Sequence, residues 1–156
     1  MKATLSRTTP AALLLALAIH VNAFAHGDVT PQAVDTQSLP QLGELWREEN
    51  PYRGNGDAVR IGGSAYNQNC ARCHVIEAVS GGIAPDLRKL DKDCANQKIE
   101  TKKQACIKDV DQYFLTSARR GKVRNGAVYM PPFEGTLSQE AMWSIRAYLD
   151  TRREVK

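Results

Sequence analysis

The pentapeptide Cys70-Ala71-Arg72-Cys73-His74 constrains this chain more than any other feature of it. Two thiols and an imidazole within one turn of backbone suit thioether bonds to the two vinyl groups of a haem and a nitrogen brought to its iron. Other readings of the same residues compete. A zinc half-site needs a second close pair of ligands, and Cys94 and Cys106 stand too far apart in sequence to form one. A thioredoxin-like redox disulfide needs a βαβ setting, which the sequence lacks. The motif therefore predicts one covalently bound haem c, attached through Cys70 and Cys73, with His74 as its proximal axial ligand.

The N-terminus points to export. Lys2 and Arg7 precede an apolar run from Ala11 to Val21, and Ala23-Phe24-Ala25 is the small-x-small triplet that signal peptidase recognises. That run is about half the ~20 residues a membrane-spanning helix needs. Residues 1–25 thus read as a signal peptide cleaved after Ala25 rather than an uncleaved anchor, and the mature protein as periplasmic, without a membrane span. The leader carries two basic residues and no acid out of a formal charge of +4, so the mature chain is nearly neutral. That balance argues against a nucleic-acid partner, which wants a strongly basic face.

Residues 26–57 hold Pro31, Pro40, Pro51, Gly54 and Gly56, and Asp28, Asp35, Glu44, Glu48, Glu49 and Asp57 outnumber Arg47 and Arg53. This is read as an irregular acidic extension, with a short helical turn laying Leu42, Leu45 and Trp46 on one face and Trp46 pinning it to the body. Residues 58–156 are the domain proper. A first helix is predicted from Val59 to Asn69, its Gly62, Gly63 and Ala65 leaving room for another helix. A second runs from about Asp109 to Arg120. Val110, Tyr113, Phe114 and Ser117 share its inner face, Asp109 and Asp111 suit its N-terminus, Arg119 and Arg120 its C-terminus, and Gly121 stops it. The last begins at Ser138 as N-cap and buries Ala141, Met142, Ile145, Tyr148 and Leu149 before ending near Arg152 or Arg153. No alternating run of strand-forming residues remains. The expected fold is mainly α, about three to four main helices and long loops around the haem, because loops this long want a filler other than side chains.

Met130, Met142 and His26 are the candidates for the distal iron ligand. Met142 sits on a helical apolar stripe and reads as core, and His26 as a solvated terminus. Met130 lies in Tyr129-Met130-Pro131-Pro132-Phe133, where two prolines pre-organise the backbone that would hold a thioether against iron. The Pro85 carbonyl, in the loop from Ser80 to Leu87, is the candidate acceptor for the second nitrogen of His74, an ordinary turn being the alternative. Cys94 and Cys106, in an oxidising compartment, are predicted to form a disulfide; two buried or metal-bound thiols are the alternative. Arg119, Arg120, Lys122 and Arg124 lead towards Met130 and would rim the haem edge with positive charge, an ordinary solvated surface being the alternative.

Together, the haem motif after a helix, the Ala84-Pro85-Asp86-Leu87 loop and a Met-Pro loop before a C-terminal helix resemble a class I cytochrome c over about residues 58–152. The resemblance implies that the first and last helices cross near Gly62 or Gly63 against Tyr148. At closer range, Tyr66 to His74, Ser80 to Leu90, Arg119 to Gly135 and Glu140 to Leu149 are similar to the soluble periplasmic cytochromes that serve quinoprotein ethanol dehydrogenase. This implies a one-electron carrier, not an enzyme, with a PQQ-dependent alcohol dehydrogenase as donor and a terminal oxidase or other cytochrome as acceptor. The alternatives are a haem enzyme or gas sensor with an open distal site, or a tightly bound electron-transfer subunit.

Overall fold

Three capped or stopped helices organise the domain in the computed structural model, which describes residues 30–79 and 84–154. The expected leader with its cleavage point, His26, and Gly81 and Gly82 of the loop before Pro85 lie outside the described residues. Helix α1 (Gly56–Asn69) starts where Asn55 accepts the Ala58 N–H at 3.0 Å. The short α2 (Ala71–His74) follows at once and carries the haem motif. After α3 (Lys92–Ala95) comes α4 (Glu100–Arg120), then a hairpin of β1 (Lys122–Arg124) and β2 (Ala127–Met130), and α5 (Gln139–Thr151). Ser138 caps α5, accepting the Ala141 N–H at 3.2 Å.

The core forms where α1 crosses α5. A Cβ on Gly62 would sit 1.9 Å from the Ser144 carbonyl oxygen, and one on Gly63 would meet the Tyr148 ring at 3.3 Å. Bare backbone at these positions lets the helices touch, burying Ala58, Ala65, Tyr66, Ala141, Met142, Ile145 and Leu149 between and around them. Helix α5 is buried on almost every side, because residues 30–55 wrap its far face without helix or strand. Gln139 accepts the Arg47 N–H at 2.7 Å and donates to the Gly43 and Leu45 carbonyls, while Glu140 accepts the Leu42 N–H at 2.9 Å. Leu39 and Tyr52 of the same segment are buried in the common core.

Four expectations need correction. Leu42, Leu45 and Trp46 form no helical turn: Leu45 is 84% exposed, whereas Trp46 packs at the core edge under the Arg119 guanidinium, 4.0 Å from the ring centroid. The backbone hydrogen bonds that a turn would make go instead to side chains of α5.

Helix α4 begins at Glu100, a full nine positions before Asp109. Its first turns, Glu-Thr-Lys-Lys-Gln-Ala, are strong helix formers apart from Thr101 and have no apolar stripe, so propensity rather than periodicity marks them. Asp111 is therefore mid-helix and fully buried, not a partner of the helix N-terminus. It accepts from Arg146 at 2.9 Å, from Arg53 at 2.6 Å and from the Asn50 N–H at 2.8 Å. Arg146, itself buried, also contacts Asp91 at 3.3 Å and pairs with Asp150.

Of the expected inner face of α4, Phe114 packs at the core edge and Ser117 is buried, both fronting a cavity, whereas Tyr113 is 58% exposed; Asp111, Leu115 and Ala118 are the other buried positions. A strand pair is also present, and Met130 ends β2 rather than lying in a loop. Asn125-Gly126, with φ of 50° and 76°, makes the left-handed two-residue turn that matches hairpin twist.

Candidate haem site

The motif is presented by backbone geometry. The Cys73 and His74 N–H groups both return to the Cys70 carbonyl, at 3.1 and 2.9 Å, so one turn carries both sulfurs and the imidazole. Cys70 and Cys73 are bonded to no other cysteine, so both sulfurs are available to the vinyl groups of a haem; before attachment, burial, with Cys73 beside it, pushes the Cys70 thiol up to about 12. His74 is buried, and its Nδ1 lies 3.0 Å from the Pro85 carbonyl oxygen. Burial pushes the imidazole pKa down against the smaller upward pull of that bond, favouring the neutral ring a metal needs. With Nδ1 engaged, Nε2 is the nitrogen left for an iron.

Met130 is placed by the far end of α4. Gly121 ends the helix at φ 68°, and a Cβ there would lie 2.3 Å from the Met130 carbonyl oxygen. Only glycine allows both the turn and the close approach. The Phe133 N–H then bonds the Ala118 carbonyl at 2.9 Å, and Arg119 pairs with Glu134, so residues 130–134 lie along the end of α4.

Cys70, Cys73, His74, Pro85 and Met130 all line one cavity of about 520 Å³, within the ~300–1,000 Å³ of cofactor sites. Leu87, Leu90, Phe114, Phe133, Leu137 and Ile145 make its walls largely apolar. Ser117 Oγ borders it, buried and without a hydrogen-bond partner. An apolar chamber holding two thiols, an oriented imidazole, a thioether and an orphaned hydroxyl fits a haem. Met142 is buried in the core and does not line the chamber.

Of the basic residues leading to Met130, Lys122 and Arg124 border the cavity, with Lys122 Nζ 4.7 Å from the Tyr113 ring centroid. Arg119 is engaged by Glu134 and Trp46 instead. Cys94 and Cys106 are bonded, their Cα atoms 5.5 Å apart, joining α3 to α4 away from the chamber. Sequence reasoning missed two contributors. Tyr66 reaches the His74 and Val75 carbonyls, and Asp91 anchors the segment after Pro85 through Arg146 and Arg153. The aromatic preceding the motif by one helical turn was the available signal for the first; none existed for the second. Among the described residues no helix is long and apolar enough to cross a membrane.

Residues 57–149 match the family described as cytochrome C oxidase, cbb3-type, subunit III. Over 143 residues the chain is 49% identical to cytochrome c550 of Pseudomonas aeruginosa, with 89% of each chain covered. Over 95 residues it is 33% identical to the quinohemoprotein alcohol dehydrogenase ADH-IIG of Pseudomonas putida, a stretch spanning 61% of this chain and 11% of that protein. No solved structure matches the chain. Identity of that extent over nearly the whole length means that the chain belongs to the cytochrome c family and is a single-haem electron-transfer protein, not an enzyme, carrying covalently bound haem c.

Proposed function

We propose that this protein is a diffusible periplasmic carrier that takes single electrons from a PQQ-dependent alcohol dehydrogenase and passes them to a terminal oxidase or another cytochrome. The observation that carries the reading is the convergence of Cys70, Cys73, His74 and Met130 on one apolar chamber. Cys70 and Cys73 would hold the haem through thioethers, His74 and Met130 would bind its iron, and the Pro85 carbonyl orients His74. The bound haem supplies a reversible one-electron couple. Met130, a soft thioether, would favour the reduced iron and raise the potential. Residues 1–25 act as the cleaved leader, 26–57 as the extension and 58–156 as the cytochrome domain, with its Cys94–Cys106 loop.

The stretch of a quinohemoprotein alcohol dehydrogenase that resembles this chain supports the class of donor. Lys122 and Arg124 at the cavity mouth, in a run from 112 to 133 without an acidic residue, suit an acidic docking face. Exposed Val123, Val128 and Tyr129 beside them suit a small, short-lived contact. Mixing the oxidised holoprotein with a purified PQQ-dependent ethanol dehydrogenase and ethanol tests this. Fast haem reduction that needs both enzyme and alcohol is expected; no reduction, with dithionite still effective, would leave a cytochrome with a different donor.

A further inference from the structure

Directly after the haem motif the backbone takes a course that its residues resist. Val75 has φ 63° and ψ 157°, a region left almost entirely to glycine, and Glu77 and Ala78 follow at φ 61° and 63°. Val75 is β-branched, which makes that conformation more costly still. Strain of this kind persists only where the surroundings impose it.

The imposing group is Tyr66. It lies on α1, fully buried, its ring fixed against Tyr148 with centroids 5.4 Å apart. Its hydroxyl stands 2.7 Å from the Val75 carbonyl oxygen and 3.1 Å from that of His74. Both neighbours are carbonyl oxygens, which can only accept, so the hydroxyl is the donor. The Ala78 N–H closes the turn on the same Val75 oxygen at 3.2 Å. His74 is thus held from two directions, its ring by the Pro85 carbonyl and its backbone by Tyr66.

We propose that Tyr66 is a positioning residue whose hydroxyl clamps the strained His74–Val75 backbone and so sets the plane in which the His74 imidazole meets the haem iron. This rests on the assignment of His74 as an axial ligand. In the oxidised holoprotein the paramagnetically shifted haem-methyl resonances read that plane, and the shifted His74 ring signals read the ligation itself.

Tyr66→Phe removes one oxygen and keeps the ring packing. It is expected to redistribute the methyl shifts and move the reduction potential, with the His74 ring signals still present. Adding Val75→Gly to that variant is expected to bring the pattern back towards wild type, because glycine takes φ 63° without help from the hydroxyl. Tyr148→Leu removes the ring contacts with Tyr66 and Arg152 but leaves the Tyr66 hydroxyl in place, and is expected to lower the melting temperature with a smaller change in the pattern than Tyr66→Phe. A Tyr66→Phe protein that melts earlier but keeps the wild-type methyl pattern and potential would overturn the clamp. Absence of shifted His74 ring signals in the wild-type protein would overturn the ligand assignment, and the clamp with it.

Discussion

Where α1 crosses α5, polypeptide atoms fill the space to contact distance: a single Cβ on Gly62 would collide with the Ser144 carbonyl, and Tyr66, Met142 and Trp143 are fully enclosed. At the C-terminal end of the same α1, the chain lines a chamber of about 520 Å³, while Tyr113, Val123, Val128 and Tyr129 remain in the open at its side. The crossing is a protein core made by close packing. The chamber has apolar walls that no side chain of the described residues fills, as expected where a prosthetic group completes the core. Stability and chemistry are therefore assigned to different regions, and substitutions should separate them.

The largest effect is expected at the crossing. Gly62→Val has no room against the α5 backbone and should destabilise the fold by about 3 kcal/mol or more, read as loss of helical circular dichroism at a lower denaturant concentration. Equal stability would mean that the helices can part without cost. At the chamber the signature reverses. Met130→Ala should abolish the weak far-red sulfur-to-iron absorption of the oxidised protein and lower the potential by a measurable part of the about 0.8 V that axial ligands span. Its helical circular dichroism should match wild type; an unchanged spectrum would remove Met130 from the iron.

The disulfide sharpens the contrast, because it lies in neither region. Replacing Cys94 and Cys106 by serine opens a loop of twelve residues' separation and should cost about 3 kcal/mol by the chain-entropy estimate. Visible spectrum and potential should stay as they are, since neither cysteine lines the chamber. A shifted potential would show that the α3–α4 joint reaches the iron. The smallest effect concerns Asp86, beside Pro85. Arg88, bonding it at 2.8 and 3.1 Å, holds its carboxyl down at about 2. A depressed carboxylate contributes stability above its unfolded pKa of about 4 and loses that contribution as pH falls through about 2. Melting temperature should fall over that interval, and less steeply in Asp86→Asn.

Legibility followed the range of the interactions. The haem motif, the caps at Ser138 and Gly121 and the apolar stripe of α5 are decided by residues a few positions apart, so spacing alone reveals them. Asn125-Gly126 was equally local and marked the hairpin, but its strands are too short to alternate visibly. The start of α4 was missed because helix propensity without amphipathicity leaves no periodic trace. Asp111 looked like a helix-end charge for the same reason: its true partners, Arg53 and Arg146, are distant in sequence.

The sequence by itself determined that the chain carries a covalent haem, since two thiols and an imidazole within one turn follow from a spacing that holds in any fold containing it. Only the tertiary structure decided how these groups share a chamber. It wrapped residues 30–55 around α5 and sealed the Asp111–Arg146 pair. The physical reason is that close packing and buried charge are properties of surfaces meeting across long stretches of chain. No local pattern encodes which surface will be met.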